Sequence, residues 1–265
     1  INDALAAGFA ELTIDRGLIK PVRDEPRTVF EQAYSPQNMT SPLVRQFSSA
    51  DIDDFDGVDV EYFDAVNRQW TTVECRLPGD AGARVEKMRI AGVTDETRAW
   101  RIGMRKRRAQ KYRRWGYTFN TELDAMNSGY LSYVPLLDDV PGYGQSAILE
   151  DYAVMGAGAV LRSSEPLDWS AGGAHVVGLR RPDGTLSGPF TATRIDDYRL
   201  TIAEQPDFTP DLSWTIEPPH IYFGPLIRWN YPALITEVSP SGNGCSVSAI
   251  NYDARVYADD DNSPP

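Results

Sequence analysis

The chain has 265 residues, 42% of them apolar and 11% aromatic, with a formal charge of −12. That suits one large folded domain or two ordinary ones and excludes a disordered polymer. The charge is uneven: from Arg98 to Arg114 there are nine Lys or Arg and no acid, leaving 17 basic residues against 38 acidic ones elsewhere, which is not the broad basic face of a general nucleic-acid binder.

In chain order, a short helix is expected from Asp3 to about Glu11. A hairpin should follow, Leu12–Asp15 and Leu18–Pro21 about Arg16-Gly17. Residues 34–42 are rich in turn formers. Val58, Val60 and Tyr62 alternate with Asp59 and Glu61, and Trp70–Arg76 returns, which predicts an amphipathic antiparallel pair. Thr94-Asp-Glu supplies a helix start, and the basic helix should run over about 95–114 with Trp100, Met104 and Tyr112 on one stripe.

From Trp115 onward short strands are expected at Tyr117–Thr121, Tyr130–Leu137, Ala147–Leu149, Ala153–Leu161, His175–Leu179, Tyr198–Ile202, Trp214–Ile216, Ile221–Gly224, Ala233–Val238 and Cys245–Tyr252. The fold class is therefore α+β, mostly β. An α+β domain with one long helix (1–125) precedes an antiparallel β-barrel or sandwich (126–258), and 259–265 forms an acidic linker. The acid and proline of Asp259–Pro265, with Ile1 in place of an initiator Met, read as the ends of a segment of a longer polypeptide. The longest apolar run, Ala153–Leu161, is about half of a membrane-spanning helix, so a soluble chain is expected.

Few residues suggest chemistry. Two cysteines make no disulfide framework. Cys75 shares a strand face with Val73 and Leu77 and reads as a buried small hydrophobe, in a chain assembled in a reducing compartment. The acidic stretch Asp51–Gly57 resembles a calcium loop, but aligning Gly57 with the loop's glycine puts Ile52 and Phe63 where oxygen ligands are needed. His175 and His220 have no nucleophile elbow or metal-ligand spacing beside them, so both read as structural. Gly156, Gly158, Gly172 and Gly173 mark bends and not a phosphate cradle. The helix Arg98–Arg114 is the one candidate polyanion contact. Its plainer reading is a solvated or subunit-facing helix whose cations meet acids that an acidic neighbouring subunit supplies. Trp169, Trp214, Tyr222 and Trp229 are candidates for stacking on sugar in a glycan-binding or glycan-cleaving β-module. No catalytic, cofactor-binding or metal-binding residue is assigned, and no cofactor.

Several runs resemble a known family. Tyr34-Ser-Pro-Gln-Asn-Met39, Phe55–Asp64 followed by Trp70 and Val73–Leu77, Gly92-Val-Thr-Asp95 leading into the arginine-rich helix, Tyr117-Thr-Phe, and the closing Val247–Asp261 are similar to the hub region of the phage tail tip attachment (host specificity) protein J family. The resemblance covers most of 30–135 and again 233–262. It implies a non-enzymatic baseplate hub, assembled in the host cytoplasm and carried in the virion, forming a homotrimer around the tail axis. The implied partners are distal tail and tape measure proteins and tail fibres, with no specific nucleic acid. Host-surface contact is expected through regions outside these residues.

Overall fold

The computed structural model describes residues 2–15, 17–49, 54–138 and 144–265. In chain order the elements are α1 (Asn2–Ala6), β1 (Ala10–Asp15), β2 (Leu18–Arg23), β3 (Val44–Phe47), β4 (Gly57–Asp64), β5 (Gln69–Cys75), β6 (Val85–Arg89), α2 (Glu96–Tyr112), β7 (Trp115–Thr121), β8 (Tyr133–Leu136), β9 (Gln145–Met155), β10 (Gly158–Ser163), β11 (His175–Arg180), β12 (Leu186–Arg194), β13 (Arg199–Ile202), β14 (His220–Pro225), β15 (Tyr231–Ser241) and β16 (Gly244–Asn251). Short 3-10 helices span Leu123–Asn127 and Ala254–Tyr257. The expected class, α+β and mostly β with one long helix, is the observed one, and of barrel or sandwich the chain forms a closed barrel.

The chain groups into two compact units: Ile1–Arg27 with Arg45–Gly116 and Ile250–Pro265, and Thr28–Val44 with Tyr117–Ala249. This differs from a single cut near residue 125. The closing segment is grouped with the helix, because Asp259 and Asp260 pair with arginines of α2. Asp259, read from sequence as part of a solvated linker, is only 8% exposed.

In the first unit β1 and β2 form the expected hairpin, with Ile14 facing Ile19 across the ribbon. Arg16 at its turn lies outside the described residues. The first helix is shorter than expected: Phe9 adopts φ 58, and the strand begins at Ala10. β4 and β5 pair antiparallel, with Val60 opposite Val73 and Val58 opposite Cys75. A third strand, β6, pairs parallel to β4, which the sequence reading missed. Its Glu86-Lys87 and Arg89 make a charged edge strand that carries little alternation.

The period of two places Val58, Val60, Tyr62, Val73 and Cys75 on one buried face, where Trp100, Ile102 and Met104 of α2 pack. Gly103 permits the close approach: a Cβ there would fall within 2.6 Å of Val60 Cγ2 and also overlap Cys75 Sγ. Asp95 caps the helix by accepting from the Arg98 amide at 2.8 Å.

The second unit holds a closed antiparallel barrel in the order β10-β13-β12-β11-β14-β9. Leu149, Leu161, Val177, Leu179, Leu200, Ile202, Ile221 and Phe223 fill it. The apolar run Ala153–Leu161 is not one strand. It turns at Gly156, φ 61, so that Ala153 of β9 faces Val160 of β10. Gly158 lets β10 pass against the Ile202 carbonyl of β13, where a Cβ would clash. Trp214–Ile216 is not a strand either: Trp214 has φ 61, and the Asp211 and Ser213 side chains bond the local backbone. β12 was missed because Gly188-Pro189 interrupts its apolar pattern.

Beside the barrel, in the same unit, β7, β16, β15 and β8 lie in that order. Segment 28–44 threads along them through isolated bridges from Tyr34 to Leu136 and from Met39 to Thr121. Among the described residues no helix is long and apolar enough to cross a membrane.

Candidate functional site

The basic helix was the strongest site candidate in the sequence, and its surroundings decide its role. Arg107 forms a bidentate pair with Asp80, 2.8 Å on each arm, and donates to the Phe55 carbonyl at 2.8 Å. Asp80 also accepts from the Leu77 amide at 2.7 Å. Arg113 pairs with both oxygens of Asp24, at 2.7 and 3.0 Å, and donates to the Tyr257 hydroxyl, which itself donates to Asp24. Lys106 reaches Glu86 at 2.6 Å and Arg114 reaches Asp54.

A second set lies along one stripe of α2. Arg98, Arg101, Arg105 and Arg108 recur at helical spacing, so their side chains share a face. Arg98 donates to the Ala7 carbonyl. Arg101 donates to the Asn262 and Asp261 carbonyls at 2.8 and 3.1 Å. Arg105 holds the Asp260 carboxylate and the Asp24 carbonyl, with its guanidinium 3.8 Å above the Phe9 ring. Arg108 holds the Asp259 carboxylate and reaches the Arg255 carbonyl at 3.3 Å. The closing segment thus runs antiparallel to α2.

These contacts set the local electrostatics. Burial works to raise the pKa of Asp24, and the hydrogen bonds and charge of Arg113 outweigh it, so the carboxyl sits below its ordinary value. Asp80 and Asp259 follow the same pattern, with Arg107 and Arg108 overcoming burial. Burial and the Asp24 hydrogen bond push the Tyr257 phenol upward. Among the described residues, the acids that meet the basic helix come from its own unit.

The other candidates are dispersed. His175 and His220 stand at opposite ends of the β11/β14 ladder, opposite Pro225 and Ile148 respectively. His175 Nδ1 lies 3.2 Å from the Gly173 carbonyl, and its ring stacks on Phe223. His220 Nε2 is 3.0 Å from Glu217 Oε1 without a hydrogen bond between them. Cys75 and Cys245 are both buried, and burial drives the Cys75 thiol up to about 12. Among the described residues no group of three His, Cys, Asp or Glu is placed to hold a metal. Asp51, Ile52 and Asp53 of the acidic loop lie outside those residues.

Of the aromatics proposed for sugar, Tyr222 and Trp229 are buried, and Trp169 packs on Phe223 at 4.7 Å. Only Trp214 is exposed, at 65%.

One cluster escaped the sequence reading. In the second unit Asp124 accepts from Gln32 at 3.2 Å, Asn38 at 3.5 Å and Arg180 at 2.5 Å, while the Tyr34 hydroxyl meets Ser128 at 2.6 Å. These partners are separated by up to 94 residues, so no local pattern announces them. Tyr34, Ser35 and Asn38 of the run Tyr34–Met39 are buried, so that run serves to build the unit.

No family model matches the sequence, and no curated protein matches it. Among solved structures, a chain of the virion of a native gene transfer agent (GTA) particle is similar, with a TM-score of 0.50 and 12% identity over 96% of this chain. The match covers 38% of that chain, so this sequence spans well under half of its structural relative. At such low identity the likeness is one of fold.

Proposed function

We propose that this chain is a non-enzymatic structural subunit of a phage-like virion, placed in the tail-tip hub. The observation that carries the reading is the fold shared, over nearly the whole chain, with a chain of a gene transfer agent virion. The ordered runs from Tyr34 to Tyr117 and from Val247 to Asp261 support the hub within that class.

In this reading three copies close around the tail axis, contact distal tail and tape measure proteins, and connect the tube to fibres that touch the host. A rigid barrel and a helix-covered sheet suit a subunit that works through its surfaces. The glycan alternative loses its main support, because two of its four aromatics are buried and Trp169 packs on Phe223. Sedimentation equilibrium of the purified chain tests the proposal: a closed trimer is expected. A monomer that persists at high concentration overturns it.

A further inference from the structure

We propose that Arg101, Arg105 and Arg108 of α2 form a docking row for a short acidic peptide segment, and that the chain's own residues Asp259–Asn262 fill it in cis as a releasable latch. The inference stands apart from the virion reading. Three observations carry it.

The first is register. Passing along the helix, Arg101 meets the Asp261 and Asn262 carbonyls, Arg105 the Asp260 carboxylate and Arg108 the Asp259 carboxylate. Two consecutive carboxylates of a segment folded in turns, and the carbonyls that follow them, are thus read by arginines about one helical turn apart. Guanidinium forks suit carboxylates in this geometry.

The second is that two of the row's three arginines have contacts apart from its occupant. Arg105 is held by the Asp24 carbonyl and the Phe9 ring, and Arg108 also reaches the Arg255 carbonyl, which precedes the segment. These contacts remain when the segment leaves.

The third is the way the segment is attached. Val256 and Tyr257 are buried and anchor it. Beyond them the holding contacts are ionic and polar: Asp259 and Asp260 to arginines, with Asn262 folded back on Asp259 at 2.9 Å. A hydrophobic anchor followed by a charged segment lets the segment open while the anchor stays.

The test uses the full chain and an oligo-aspartate peptide at low salt. A D259N/D260N variant should bind the peptide about tenfold or more tighter than the wild type, whose tethered segment competes at high effective concentration. Adding R108A should abolish the gain. An E165Q/E204Q variant, which removes the same charge from exposed positions in the other unit, should bind as the wild type does.

A measurement without substitutions complements this. The Asp260 and Asn262 amides, bonded to the Tyr257 and Asp259 carbonyls at 3.2 Å each, should exchange faster when the peptide is added to wild type, while the Met104 amide is unchanged. Equal peptide affinity in wild type and D259N/D260N overturns the proposal, as does a gain that survives R108A or is matched by E165Q/E204Q. Unchanged exchange at Asp260 and Asn262 also overturns it. So does tighter binding of a DNA oligonucleotide of equal charge, which would make the row a phosphate site.

Discussion

In the barrel the interior is a continuous packing of Leu149, Leu161, Leu179, Leu200, Ile221 and Phe223, and most of its ion pairs, such as Arg162–Glu150, Arg194–Asp197 and Arg199–Asp196, are exposed, with Arg180–Asp124 the partly buried exception. In the helix-bearing unit, Trp100, Ile102 and Met104 cover the sheet, and the flanks of the same helix are held by arginine–carboxylate pairs, several with side chains under a quarter exposed. The contrast is physical. Exposed pairs such as those on the barrel contribute at most about 1 kcal/mol, whereas removing one partner of a buried pair strands a charge and costs several times more. One unit thereby leans on buried ion pairs more than the other does.

The sharpest way to break the contrast is Asp80→Ala. The Arg107 and Asp80 side chains are 9% and 5% exposed, so a loss of about 3–5 kcal/mol is expected. Urea unfolding followed by amide exchange in α2 measures it, and protection of β11 should persist. Leu161→Ala is the counterpart in the barrel. It removes a fully buried side chain and should cost about 2–5 kcal/mol, read in the exchange of β9 and β10 with α2 retained.

Acid should separate the units next. Asp24, Asp80 and Asp259 have folded pKa values below their ordinary ones. Their contribution is therefore complete above the ordinary carboxylate range, about 4, and is lost as pH falls through the lower folded values. On acidification α2 should lose protection before the barrel strands do, as exchange at stepped pH would report. The smallest effect is expected from Asp95→Ala, which removes the helix cap and should cost about 1 kcal/mol, measured by thermal unfolding with Asp95→Ser as the near-neutral control.

The sequence made the β4/β5 hairpin, the span of α2 and most barrel strands legible, because alternation, capping residues and turn clusters are local signals. What escaped it was non-local. The parallel strand β6 is a charged edge, and Gly156 hides a hairpin inside one apolar run. The tail acids Asp259 and Asp260 find Arg108 and Arg105 across some 150 positions of chain. Nine cations in one helix announced that acids must be near. Only the fold says that those acids are the chain's own.

The central claim is that ion pairs hold the helix-bearing unit while apolar packing holds the barrel. Urea unfolding at low and at molar sodium chloride, read by amide exchange in α2 and in β11 of the same sample, tests it most directly. The account predicts that salt lowers the α2 midpoint and leaves the β11 midpoint unchanged or raised. Midpoints that move together, or an α2 midpoint indifferent to salt, would contradict it.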